Sequence, residues 1–420
     1  MKVYKFGGAS VRSAEGVRNL GEIVGAADGP LFVIVSAMGK TTNALEAVTA
    51  KFVDGDRRGA LEELAVSEAY HRQICDDLFD GTGLPRRVGV FFGELREVLM
   101  NASSDPRDYD YWYDRIVSYG ELVSTSIVSE YLQREGTCNR WIDIRGCFVT
   151  DTRHRDANVD LELSASRLLE EVAADEVNVF VSQGFIGADE AGETTTLGRE
   201  GSDYSAAVAA NILDAESLTI WKDVSGVMNS DPKIFPEAIH IPELTYLDAI
   251  ELAYGGAQII HPKTIKPLQN KDIPLLVRSF ADPAAAGSAI RRDMAGKIEV
   301  PILILKHNQV LLSIRPNDFS FVLEDRFAAI FALLESHGIK INLIQSSAVN
   351  LSLCVDSSRH LPEVVRELTA RQFRVVYNDD MQLLTVRGYT PALLDKYGSG
   401  DSIYLTQKTR RTLRVVRRKP

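Results

Sequence analysis

Three groups of residues in this chain have types and spacings suited to phosphate and carboxylate chemistry. The stretch Thr194 to Lys233 reads TTTLGREGSDYSAAVAANILDAESLTIWKDVSGVMNSDPK, and its Gly198 and Gly201 permit close backbone approach. Ser202 stands where an N-cap is expected, ahead of an Ala-rich run carrying Val, Ile and Leu at helical spacing. The N–H groups of that first turn would face an anion. Arg199, between the glycines, offers a planar fork for a carboxylate or a phosphate. Lys222 and Asp223 follow the apolar run Leu218 to Trp221, with Asp231 and Lys233 in the next loop. At the N-terminus, Lys2 to Phe6 is a short strand ending in KFGGAS, so Lys5 lies just ahead of the pair Gly7 and Gly8. The spacing is not that of a Walker A loop. Positive and acidic groups alternating around glycine loops read as a nucleotide site, while Gly-Ser-Asp loops also occur as plain turns.

These residues need strands to present them. Leu31 to Ser36 is an apolar run of strand length that opens into AMGKTTN before a helix from about Asn43. Arg57 to Leu99 is helical and charged, and the cluster Tyr109, Tyr111, Trp112 and Tyr113 reads as packing or an interface rather than a cofactor platform. Tyr119 to Thr125 heads a further helix, where Glu121 is a macrodipole partner. Trp141 to Arg145 and Val177 to Phe185 are further strands, Thr245 to Tyr254 a helix and Pro274 to Val277 a strand; His261 precedes a proline and has a structural role. Apolar runs alternating with helical patterns predict an α/β fold, a mostly parallel sheet flanked by helices, with ligands at the strand ends.

This first domain is expected over 1–292, followed by a linker. Over 301–420 the order becomes βαββαβ, which is ferredoxin-like, with a second, abbreviated unit from separate strands at Leu383 to Val386 and near Ile403 and Leu413. Sheets of this kind leave edges, so a homodimer or larger homo-oligomer is expected.

The balance of 47 basic and 58 acidic residues, net charge -11, argues against general nucleic-acid binding. Scattered Cys75, Cys138, Cys147 and Cys354 read as reduced thiols without a metal cage. No apolar run approaches membrane-spanning length and the N-terminus lacks a signal pattern, so a cytoplasmic protein with no membrane partner is expected. The basic stretch Lys408 to Lys419 reads as a solvated terminal strand.

The motifs also carry a family resemblance. KFGGAS resembles the KFGGTS of the aspartate kinases (aspartokinases) of the amino-acid kinase superfamily, TTTLGREGSDYSAA their TTTLGRGGSDYTAA, and WKDVSGVMNSDPK their WTDVDGVYTTDPR, in the same order. The resemblance implies ATP-dependent phosphorylation of the aspartate β-carboxylate, at the start of lysine, threonine and methionine biosynthesis. It implies Lys5 stabilising the transferring phosphoryl group, Gly7, Gly8 and Ser10 at the phosphates, and Arg199 and Ser202 at the substrate. Glu121, in a stretch similar to the family's GELxST, is implied to receive the α-ammonium; Ser36 and Thr42, in SAMGKTTN, are implied at the substrate. Lys222, Asp223, Met228, Asp231, Lys233 and Gln258 are implied on the nucleotide side. Mg²⁺ is expected to arrive with ATP, with Asp203 the carboxylate that holds or orients it. An attacking carboxylate needs no general base, which suits a site of cations and N–H donors without a catalytic histidine. Ala9, Glu200, Lys222, Met228, Lys233 and Gln258 depart from the family's Thr, Gly, Thr, Tyr, Arg and Lys.

The C-terminal region resembles the family's regulatory ACT domains, one complete and one abbreviated unit, intertwined. HGIKINLIQSSAVN, His337 to Asn350, is similar to HNISVDLITTSEVS of lysine-inhibited relatives, which places an effector near Asn342, Ser346 and Ser347 at a subunit interface. Asn342 stands for an Asp and Ala348 for a Glu, so weak or absent lysine inhibition is expected, unless Asp318 or Asp325 supplies the missing charge. A different amino-acid kinase and a catalytically silent ACT-type amino-acid sensor are the alternatives.

Overall fold

The computed structural model describes residues 1–103, 108–257, 260–294, 300–317 and 324–419. They form two compact units. The first comprises Met1–Val227, His240–Ile250 and Ile259–Ala295, and the second Met228–Ile239, Glu251–Gln258 and Gly296–Pro420.

The first unit is built on an 8-stranded sheet. Its strands are β1 (Lys2–Phe6), β2 (Leu31–Val35), β3 (Asn139–Ile142), β4 (Val179–Gln183), β5 (Leu218–Lys222), β6 (Glu243–Thr245), β7 (Leu275–Ser279) and β8 (Ser288–Arg291). Their order is β6-β8-β7-β5-β1-β2-β4-β3, parallel throughout except where β8 runs against β7. The interior strand β2 explains itself: its LFVIV is buried at every position, as a strand covered on both faces requires. β1 sits between β2 and β5, whose connections leave on opposite sides of it. Its carboxyl end is therefore a switch point, where an open α/β sheet leaves a crevice.

The glycines and helix starts around that crevice follow from local sequence. The helix Thr41–Val53 begins two residues earlier than the periodicity predicts. The expected Ser202 cap is a correction. The helix Gly201–Ile212 starts two residues sooner than a cap at Ser202 implies, its cap is Glu200 in a left-handed conformation (φ +54°), and Ser202 sits in the first turn. The turn into the helix is made at the left-handed Glu200, and Gly184 lets the strand end and the helix start meet closely, since an added Cβ there would lie 2.5 Å from Ser202 Cβ. His261 caps the helix Pro262–Lys271 by accepting from Lys263 N–H, the structural part expected of it.

The second unit is one 6-stranded antiparallel sheet of β9 (Ile302–Pro316), β10 (Ile341–Ser346), β11 (Leu351–Asp356), β12 (Phe373–Arg387), β13 (Ile403–Lys408) and β14 (Thr412–Arg418). Its order is β10-β11-β9-β12-β14-β13. The segments Phe373–Tyr377 and Leu383–Val386, expected as separate strands, are the two halves of β12, which pairs along nearly the whole of β9. Both ferredoxin-like units thus share the same two long strands. The core of the complete unit lies beneath helices Glu324–Ser336 and Leu361–Ala370, where Leu312, Ile314, Leu334, Leu353 and Val364 are buried. Most of the basic tail forms β14, an interior strand with Leu413, Val415 and Val416 buried, Arg414 and Arg417 part-buried and Arg418 exposed.

Candidate active site

A cleft of about 410 Å³ opens at the carboxyl ends of β1, β2 and β5. Lys5, the penultimate residue of β1, is buried, and its Nζ lies 2.6 Å from Asp203 Oδ1 in the first turn of the Gly201–Ile212 helix. Lys222, at the end of β5, approaches the other oxygen of Asp203 at 3.6 Å. Burial alone would raise the Asp203 pKa, but the Lys5 and Lys222 charges overcome it and hold the carboxyl below its usual range. Asp203 is therefore ionised at neutral pH, and the three groups form a fixed positive, negative, positive arrangement at the focus of the sheet.

The glycine loop after β1 is held against the loop after β2. Gly39 N–H donates to Gly8 O at 2.9 Å, and a Cβ on Gly8 would fall 2.4 Å from Ala37 O, so no other residue fits at position 8. Gly7 and Ser10 line the cleft beside it; Ser36 and Thr42 line it from the second loop. Glu121 enters from the helix Tyr119–Arg134: Ala37 N–H donates to its Oε1 at 3.1 Å, and its Oε2 is buried with no hydrogen-bond partner. Burial pushes the Glu121 pKa up to about 8, against the lowering effects of the Ala37 bond and the Lys5 charge. Ser202 and Asp223 complete the lining among the residues named from sequence.

The remaining named residues lie elsewhere. Arg199 is exposed and does not line the cleft, although Gly198 and Glu200 on either side of it do. Met228, Asp231 and Lys233 fall in the second unit; Asp231 shapes a turn by accepting from Lys233 N–H at 2.9 Å. Gln258 lies outside the described residues, as does Asp318. In the second unit Ser346 and Ser347 are exposed, while Asn342 is buried in a network described below.

Sequence reasoning missed the residues that hold the loops. Asp114 is fully buried and accepts from Thr196 Oγ1 (2.5 Å), Arg155 N–H and the His154 ring (2.8 Å), which fixes the strand that delivers Gly198. Burial raises its pKa despite those bonds. Lys263 Nζ donates to Leu197 O (3.3 Å), on the loop that carries Gly198, and to Asp156 (3.2 Å), on the separate segment that precedes the helix Leu161–Ala173. Tyr70 Oη donates to Arg12 O, and the His71 ring lies 3.3 Å from Thr41 Oγ1, bracing both phosphate-side loops from one helix. Each of these pairs joins residues tens of positions apart. Of the signals in the chain, only the buried-face placement of His71 and Asp114 on their helices pointed that way.

Residues 1–279 match the model of the Amino acid kinase family. This chain belongs to the amino acid kinase family, on its aspartokinase branch. Lysine-sensitive aspartokinase 3 of Escherichia coli is 32% identical over 365 residues, 85% of this chain and 78% of that protein. Aspartokinase of Chlamydia pneumoniae is 30% identical over 373 residues, 86% of this chain and 81% of its own. The structure of E. coli aspartokinase III in complex with aspartate and ADP superposes with a TM-score of 0.81 at 28% identity, covering 100% of this chain and 96% of that one. The two-part architecture expected of an aspartokinase is therefore present. No helix among the described residues is long and apolar enough to cross a membrane.

Proposed function

We propose that this aspartokinase transfers the γ-phosphoryl group of ATP to the β-carboxylate of L-aspartate, giving 4-phospho-L-aspartate. The observation that carries the reading is the buried Lys5–Asp203–Lys222 arrangement at the sheet's switch point, within the same cleft as the partnerless carboxylate oxygen of Glu121. A carboxylate nucleophile is already charged, so the cleft has to align two anions and neutralise the charge between them. Lys5 is placed to meet charge on the transferring phosphoryl group, and Asp203 fixes where its ammonium points. The backbone at Gly7 and Gly8 approaches the phosphates, and Glu121 takes the α-ammonium. Cleft carboxylates fit a hard cation; because both Asp203 oxygens face lysines, Asp223 is the better placed of the two to meet Mg²⁺ brought in with ATP. An amino-acid effector in the ACT region and pairing through the exposed edge strand β10 complete the proposal.

A coupled ADP-release assay tests it. Turnover with aspartate and ATP supports the reading. Release with glutamate or a nucleoside monophosphate in place of aspartate indicates a different kinase, and no release with any acceptor indicates a silent sensor.

Two further outcomes follow. Arg199 is proposed to swing inward onto the substrate α-carboxylate; Lys keeps its charge but not its fork, so Arg199→Lys should raise the KM for aspartate strongly and leave that for ATP nearly unchanged. Equal losses for both substrates would put Arg199 on the phosphate side. Glu121 should give a pH signature. Below about 8 the free enzyme holds a proton on Glu121 that an incoming ammonium must displace, at about 1.4 kcal/mol per pH unit. kcat/KM for aspartate should therefore rise about tenfold per unit as pH approaches 8 and then level off. Glu121→Gln should be slow and lack this limb; a wild-type profile flat between pH 6 and 8 would refute the assignment.

A further inference from the structure

The cleft holds more carboxylate than its own cations engage. Lys5 and Lys222 both face Asp203. Three further carboxylates line the same cleft; Asp223 is exposed, whereas Glu121 and Glu200 each have their Oε2 buried without a hydrogen-bond partner. For Glu121 the reason is given above. Glu200 has none in the fold, since its side chain makes no capping bond to the helix it begins.

Glu200 combines two unfavourable features. Its φ of +54° lies in the left-handed region, which glycine enters freely and a residue with a Cβ does not. Its carboxylate oxygen has lost water without gaining a donor. Strain and desolvation at one residue on the wall of a ligand cleft point to a ligand that offsets them. The missing group must be cationic or a strong donor. The position on the chain says more. Glu200 directly follows Arg199 on the loop between Gly198 and Gly201, so one loop presents a guanidinium and a carboxylate on consecutive residues. The α-carboxylate and α-ammonium of an amino acid are two such charges on one carbon. Glu200 also lies on the same wall as Phe185, Gly201 and Ser202, at the start of the helix.

We infer that Glu200 is a specificity-determining residue, a second anion that acts with Glu121 on the α-ammonium of the acceptor and so separates amino acids from dicarboxylates that lack the amino group. The inference rests on aspartate being the acceptor. An ammonium has three N–H donors, so two carboxylates can share it without competing for one proton.

Steady-state ADP release by wild type, Glu200→Gln and Glu200→Gly tests it, with succinate, the des-amino analogue, as a competitive inhibitor against aspartate. Both variants should raise the KM for aspartate about tenfold, a typical factor for losing one charged hydrogen bond. The inhibition constant of succinate and the KM for ATP should stay within about twofold. Glu200→Gly should also unfold at a higher temperature than wild type, because it relieves the left-handed strain, so any kinetic loss is not misfolding. An unchanged KM for aspartate in both variants overturns the inference, as does a loss that tracks ATP or Mg²⁺ concentration, or a parallel loss of succinate affinity. A wild type that releases no ADP with aspartate overturns the acceptor reading itself; an active wild type with unaffected variants overturns this inference alone.

Discussion

Lys5→Ala should lower kcat by about 10² to 10³-fold, with a much smaller change in the KM for ATP, because a preorganised cation that meets developing charge acts mainly in the transition state. The structure sharpens the expectation. Lys5 is buried with its Nζ 2.6 Å from Asp203, whereas Lys222 reaches that carboxylate only at 3.6 Å and is more exposed. Removing Lys5 leaves a buried carboxylate with one distant partner, so stability should fall as well, by an amount below the ~3–5 kcal/mol of a fully broken buried pair. Kinetics and thermal unfolding must therefore be measured together. A loss of kcat at temperatures where the variant is folded assigns Lys5 to the phosphoryl transfer, and near-normal kcat removes it from the mechanism. Lys5→Arg keeps the charge and should recover stability better than kcat, because a longer, planar head cannot occupy the same point.

The parts of the site that were legible in the sequence are those where one short stretch does the whole task. KFGG at the end of a buried strand and a glycine loop before a helix each specify a local backbone, and parallel packing of β1, β2 and β5 then brings them together. Ser202 was misjudged because the turn into its helix is made at Glu200 in a left-handed conformation that glycine adopts more readily, so the residue type there does not announce it. Asp114, Lys263 and the Tyr70–His71 pair were missed for another reason: each stabilises a loop belonging to another element, and beyond the buried-face placement of His71 and Asp114 nothing in their own neighbourhoods distinguishes them from ordinary helix residues. The C-terminal sheet shows the converse limit. The pattern located both halves of β12, but Asp379 and Asp380 between them look like a turn, and only pairing with β9 keeps the strand going past an Asp380 at φ +50°.

Lysine should inhibit this enzyme weakly or not at all, unlike the lysine-sensitive E. coli relative, and the buried network around Asn342 gives a reason beyond the missing acidic residues. Asn342 donates from Nδ2 to Gln309 Oε1 and to Asp356 Oδ1, both at 2.7 Å, and its Oδ1 accepts from Lys306 Nζ at 2.8 Å. Gln309 in turn donates to Asp356 at 2.8 Å, and Lys306 Nζ stands 3.9 Å from the same carboxylate. The position where an effector ammonium would seek an anion already holds the chain's own ammonium, and the amide beside it has both donors and its acceptor in use. A lysine entering there would have to displace Lys306 or stay unpaired, a deficit of about 2 kcal/mol, hence tenfold to a hundredfold in affinity. A neutral effector such as threonine, reaching the exposed Ser346 and Ser347, avoids that penalty. Initial rates titrated separately with lysine and threonine decide the matter, and half-inhibition by lysine below a millimolar would sink the expectation. The reverse change is also informative. Replacing Lys306→Ala together with Asn342→Asp removes the internal ammonium and restores an anion, so lysine should bind this variant at least tenfold more tightly than wild type, whereas Asn342→Asp alone should gain little, because Lys306 would pair with the new carboxylate first.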